Sequence, residues 1–112
     1  MWSEIINKAT LVSAVDVYIK LNKVGRNVLL AICDTELLGK TLRQDKIVFQ
    51  ISEEFYNGGK TTVEEAVAMI ANSNIVNLVG CKCVEHAIQK GYVHPEAVLH
   101  IEGVPHAQIV KI

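Results

Sequence analysis

"VDVYIKLNKVGRNVLLAIC", Val15 to Cys33, decides the fold class. Val15, Val17, Ile19 and Leu21 alternate with Asp16, Tyr18, Lys20 and Asn22. A strict period of two describes a strand with one wet and one dry face. "KVGR", Lys23 to Arg26, supplies a glycine turn, and "NVLLAIC", Asn27 to Cys33, reads as a second, more buried strand. The two segments predict an antiparallel hairpin.

Working outward, Asp34 is placed as an N-cap and Gly39 as the closing glycine of one short helical turn in "DTELLGK". "KIVFQIS", Lys46 to Ser52, reads as a third strand and "EEFYNGGK" as a loop. The period then becomes helical. Thr62 and Glu65 have capping-box spacing, and Val63, Ala66, Val67 and Ile70 form an apolar stripe. A second helix is expected from about Asn77 to Lys90, stopped by Gly91, with Leu78, Cys81, Val84, Ala87 and Ile88 on its dry side. "AVLHIEGVPHAQIVKI" closes the chain as two strands around Gly103–Pro105, with the face of Leu99 and Ile101 assigned to the core. The expected order is β-β-β-α-α-β-β. It describes an α+β fold with a small, mainly antiparallel sheet and two helices on one face. Residues 15–112 form a single domain in this reading, and residues 1–14 an N-terminal extension, helical or flexible.

Composition narrows the function classes. Of 112 residues, 50% are hydrophobic and 5% aromatic, so the core is aliphatic and enough apolar surface exists to leave room for a homodimer. Eleven basic and twelve acidic residues give a net charge of −1, which excludes nucleic-acid binding by bulk charge. A local basic patch remains: Lys20, Lys23 and Arg26 around one turn, then Lys40, Arg43 and Lys46. Three cysteines and no signal-like opening point to a reducing cytoplasm, and no apolar run reaches the roughly 20 residues of a membrane span.

The chemical motifs are sparse. "GKT", Gly39 to Thr41, lacks the earlier glycine of a phosphate loop; Asp34 stands there instead. Cys81 and Cys83 are two apart, and on a helix such residues diverge by about 200°. Cys83 and His86 could share a face, with Cys33 or His94 completing a metal site, but packed small hydrophobes account for the cysteines more simply. No metal or cofactor is therefore expected. Among the histidines, His106 alone is flanked by a constrained turn and shares a strand face with another polar residue, Gln108. It can bond the turn, or act as acid, base or hydrogen-bond donor. The paired acids Glu53/Glu54 and Glu64/Glu65 stand at expected helix starts, where the dipole accounts for them.

Several segments together resemble one archaeal family, domain of unknown function 424: "VLLAICDTELLGKTL" (28–42), "ISEEFYNGG" (51–59), "NIVNLVG" (74–80) and "GVPHAQIVKI" (103–112). "EGVPHAQIV" and "CD-x-ELLGK" are the most specific pieces. The family is uncharacterised, so the resemblance carries over no catalytic residue; it implies a link to RNA and translation. Two departures stand out. The family begins near the first strand, which leaves residues 1–14 outside it, and Cys81 and Cys83 replace other residues after "NLVG".

Three expectations follow. The first is a non-enzymatic RNA- or ribosome-associated module that contacts phosphates through Lys20, Lys23, Arg26, Lys40, Arg43 and Lys46. The second is a small-molecule or anion binder, or a minor enzyme, using a polar groove of Asp34, Lys40, Asn77, His106 and Gln108. The third is a protein-interaction subunit. No nucleophile–base pair is legible, so a catalyst is the weaker reading.

Overall fold

The computed structural model describes residues 15–112. The reading of residues 1–14 lies outside the described residues. The opening alternation forms β1 (Val15–Val24), paired antiparallel through a turn at Gly25 with β2 (Asn27–Asp34). After a 3₁₀ turn at Thr35–Leu37, β3 (Thr41–Gln44) and β4 (Ile47–Gln50) pair only with each other. A short helix α1 (Glu53–Tyr56) and strand β5 (Lys60–Thr62) lead into α2 (Val63–Ala68), which a 3₁₀ turn extends to Asn72. Then follow β6 (Ile75–Val79), α3 (Cys81–Gln89), a 3₁₀ turn at Pro95–Ala97, β7 (Leu99–Ile101) and β8 (Val104–Val110).

Six strands make the main sheet, in the order β5-β1-β2-β6-β8-β7. Every neighbouring pair is antiparallel except β2 and β6, which run parallel. The fold is therefore α+β with a mainly antiparallel sheet, as the alternation predicts. Helices α2 and α3 cover one face. Leu30, Ile32, Val76 and Leu78 from the central strands meet Val63, Val67, Ile70, Val84 and Ala87 there. The other face is covered in part by the β3–β4 ribbon and α1, through Leu42, Ile51, Tyr56 and Phe49 against Ala31, Cys33 and Val79. Below these lies a more open stretch of strand surface.

The capping box forms as spaced: the Thr62 hydroxyl accepts from the Glu65 N–H at 3.1 Å, and Val63, Ala66, Val67 and Ile70 are all buried. Gly39 (φ 85°) and Gly91 (φ 81°) take the left-handed conformations that end a helical turn. Four expectations need correction. The third strand does not join the main sheet but folds back on β3 as a separate ribbon. "EEFYNGGK" is not a plain loop; Ser52 caps α1 by accepting from the Phe55 N–H at 3.2 Å, and Lys60 begins β5.

"IVNLV" is strand β6 rather than a helix start, so Asn77 sits mid-strand and α3 begins only after Gly80. A five-residue apolar run ended by glycine fits either period, and pairing on both sides selects the strand. That shift exposes Cys81 and buries Cys83. Leu99, assigned to the core, is 60% exposed because β7 is a three-residue edge strand.

Replacing Thr62 by alanine removes the α2 cap and should lower stability by about 1 kcal/mol. Urea denaturation should show a lower midpoint with an unchanged slope.

Candidate functional site

The carboxyl ends of the parallel pair are where a ligand would first be sought in a mixed sheet. β2 ends in Asp34 and β6 leads through Gly80 into α3. Gly80 is the N-cap of α3 and has no side chain to offer the first-turn amides. Asp34 supplies it from the neighbouring strand. Its carboxylate accepts from the Lys82 N–H at 2.8 Å and from the Cys83 N–H at 3.1 Å. Asp34 is 1% exposed. A helix N-terminus attracts anions, and this one is already filled by an internal carboxylate. Burial raises the Asp34 pKa, with the two amide hydrogen bonds opposing it. Gly80 has φ 120°, and a β-carbon there would collide with the Asp34 carboxyl group. Asp34 also makes no side-chain bond to the 3₁₀ turn that it precedes.

The proposed polar groove divides across the sheet. Asn77 pairs with Ala31 and with Gln108, and Val79 pairs with Cys33 and with His106. Paired residues share a face, so Asn77, His106 and Gln108 do lie together, on the ribbon side. Asp34 follows Leu30 and Ile32 in parity and lies on the helix side. Lys40 is exposed at the start of the ribbon, where its main chain bonds Leu37 and Ile51. His106 is half-buried, with its ring edge-on to Phe49 at 4.6 Å. Its Nε2 is buried without a hydrogen-bond partner among the described residues, and burial lowers its pKa. It therefore neither bonds the Gly103–Pro105 turn nor meets a proton donor.

The thiols are equally withdrawn. Cys33 lies on the ribbon side and Cys83 on the helix side, so one ion cannot bridge them. Burial, aided by Asp34, pushes the Cys33 pKa to about 12 and raises that of Cys83 well above the ordinary thiol value. Both stay protonated and unreactive at neutral pH. His86 lines a cleft between α2 and α3 with Glu64, Lys90 and Tyr92, and the His94 ring accepts from the Glu96 N–H. No group of three metal-ligating side chains converges among the described residues.

The six cations fall into two groups. Lys20, Lys23 and Arg26 belong to β1 and its turn to β2, at the end of the sheet away from Asp34. Lys40, Arg43 and Lys46 lie along the ribbon, whose tip meets the β7–β8 turn: Glu102 donates its N–H to the Gln44 side chain at 2.8 Å and accepts from the Arg43 N–H. β1 and β7 are four strand positions apart, so the ribbon tip with Arg43 and Lys46 lies far from β1, whereas Lys40 bonds Ile51 beside Ser52, which lines a cleft with Lys20. Leu42 and Phe49 are paired and face inward, which sends the pairs Thr41–Gln50 and Arg43–Val48 outward. Sequence reasoning missed this ribbon face. The alternation of Leu42 with Thr41 and Arg43 was its only signal.

A family described as "Protein of unknown function (DUF424)" matches residues 22–112. The chain belongs to this family. A solved structure, that of an uncharacterized conserved protein from Methanopyrus kandleri, is similar with a TM-score of 0.70 and 26% identity, over 83% of this chain and 89% of that chain. No curated protein matches. No helix among the described residues is long and apolar enough to cross a membrane.

Two predictions test this geometry. Asp34→Ala should cost about 2–4 kcal/mol, because two first-turn amides lose their acceptor inside the protein. Asp34→Asn keeps one acceptor oxygen and should cost less than half as much, whereas Gly80→Ala should resemble Asp34→Ala; chemical denaturation of the three variants ranks them. For His106, the unfolded imidazole takes a proton below about pH 6.5 while the folded one resists until lower pH. The unfolded state then binds more protons, so stability falls as pH drops through that window. The gap between wild type and His106→Phe should widen against wild type from pH 7 to pH 5. Asp34, whose raised pKa acts in the opposite sense, is common to both proteins and cancels.

Proposed function

We propose that the protein is a non-enzymatic, cytoplasmic RNA- or ribosome-associated module that contacts a phosphate backbone through the β3–β4 ribbon. One observation carries the reading. The exposed face of the ribbon holds Thr41, Arg43, Val48 and Gln50, with exposed Lys40 and Lys46 at its two ends. A two-stranded ribbon with three cations and two neutral hydrogen-bonding side chains suits phosphate and sugar contacts. The Glu102 carboxylate beside it is engaged by the Arg43 main-chain N–H, and Asp45 in the turn is its nearest acidic neighbour in sequence. Aromatic stacking is absent from the outward ribbon face, so recognition would rest on shape and backbone rather than on bases.

The interior supports the non-enzymatic part of the reading. Asp34 is committed to two amides, Cys33 and Cys83 are held as thiols, and the buried His106 nitrogen faces no donor among the described residues. A general acid or base needs a reacting group within hydrogen-bond reach.

The test is binding of purified ribosomal RNA to the full chain at several salt concentrations. Lys40→Ala/Arg43→Ala/Lys46→Ala should weaken binding at least tenfold at low salt and reduce the slope of log K against log salt by about 2. Lys23→Ala/Arg26→Ala should change neither by much. A triple variant that binds like the parent would remove the ribbon from consideration.

A further inference from the structure

We infer that the lower edge of β1, from Lys20 to Val24, is a strand-addition site for an extended acidic segment of a partner protein. β5 pairs with β1 only at Val15, Val17 and Tyr18. One residue further on, the Ile19 N–H donates to the Gly59 carbonyl at 2.9 Å and the Ile19 carbonyl accepts from the Gly58 N–H at 2.8 Å. The chain at Gly58 then leaves the edge toward α1. In an antiparallel strand alternate residues present both main-chain groups to the same side. Ile19 presents its groups outward, so Leu21 and Lys23 do too. Among the described residues these groups have no main-chain partner. The edge is therefore an open ladder beside a formed sheet.

The side chains along it specify the occupant. On the helix side Leu21 is 49% exposed and borders a small cleft with Val28, Met69, Asn72 and Ser73. On the ribbon side Lys20 and Asn22 line a cleft of about 390 Å³ with Ser52, Glu54 and Phe55. The Lys20 ammonium donates to the Glu54 carbonyl at 2.5 Å, which holds its charge at the mouth of that cleft. Lys23 and Arg26 continue the positive charge to the turn. An added strand would place aliphatic side chains against Leu21 and carboxylates toward Lys20.

A second copy of this chain offers Lys20 no carboxylate, because antiparallel pairing of two β1 edges over Lys20–Val24 sets Lys20 opposite Val24 and Leu21 opposite Lys23. A nucleic acid fits poorly as well. Phosphates offer acceptors only and would leave the outward carbonyls of Leu21 and Lys23 unpaired. The site is separate from the ribbon tip at Arg43 and Lys46, and its test reads main-chain amides of β1, so the two proposals stand or fall independently.

The experiment is amide hydrogen exchange by NMR on the full chain with a capped nine-residue peptide alternating valine and glutamate. Protection of the Leu21 and Lys23 amides should rise at least tenfold at saturation. The valine–lysine analogue should give none. N-methylation of alternate peptide residues, which removes donors and keeps the charge, should weaken binding at least tenfold, as should Lys20→Glu. Binding that leaves the Leu21 and Lys23 amides unprotected, no binding at millimolar peptide, or stronger protection of these amides by an RNA oligonucleotide would each overturn the inference.

Discussion

One buried carboxylate joins β2 to the junction of β6 and α3, far along the chain. Asp34 ends β2, Gly80 links β6 to α3, and α3 begins at Cys81. By accepting from the Lys82 and Cys83 amides, Asp34 fixes the entry of α3 relative to the sheet. The contact works because position 80 is glycine. A side chain there would occupy the carboxylate's space, and φ 120° is a conformation that other residues resist. The Gly80 N–H in turn donates to the Pro105 carbonyl at 2.9 Å, which carries the same junction into β8. Around this point the parallel pair, the longest helix and the last hairpin are held in one arrangement. Burial raises the pKa of Asp34, and the hydrogen bonds from the Lys82 and Cys83 amides only partly offset that.

That junction also separates the molecule's polar residues. Parity along β2 assigns Asp34 to the helix side, while Asn77, His106 and Gln108 share the other. Residues that look like one constellation in sequence are thus divided by a sheet one strand thick. What remains on the ribbon side is graded. Near the carboxyl end of β2, Val79 is buried and His106 half-buried beneath Phe49. Further down, Asn77 and Gln108 sit on a more exposed strand surface. Such a gradient leaves the exposed polar side chains at the margins of the scaffold, where loops and strand edges meet solvent.

Fold class was legible because period-two alternation survives in β1 and a capping box marks α2. From the "CD-x-ELLGK" and "EGVPHAQIV" segments, Asp34 and the Pro105 carbonyl meet the same Gly80–Lys82 stretch, although their polar side chains lie on opposite faces. What could not be read was long-range. Nothing local says that Asp34 caps a helix 48 positions later rather than the turn it precedes. Nothing local separates the five-residue strand "IVNLV" from a helix turn; parallel pairing with β2 decides that. The separation of Arg43 and Lys46 from Lys20, Lys23 and Arg26 likewise depends on strand order, which a sequence does not print.

The two groups differ in how their charge is presented. On the ribbon, the cations project from a surface whose main-chain groups are paired in the β3–β4 ladder. Only side chains are on offer there, and mobile exposed cations suit a flexible, repeating anion. On β1, the cations flank outward main-chain groups at Leu21 and Lys23 with no partner among the described residues. Lysines on an edge strand ordinarily discourage pairing between like copies. The charge of Lys20 favours an acidic strand, whose carboxylates would lie on the Lys20 face while its main chain satisfies the ladder. A net charge of −1 hides both features, because the acids that balance them are spread over helix starts and turns. Selectivity at the two ends then follows from whether the backbone, and not only the charge, is available to the partner.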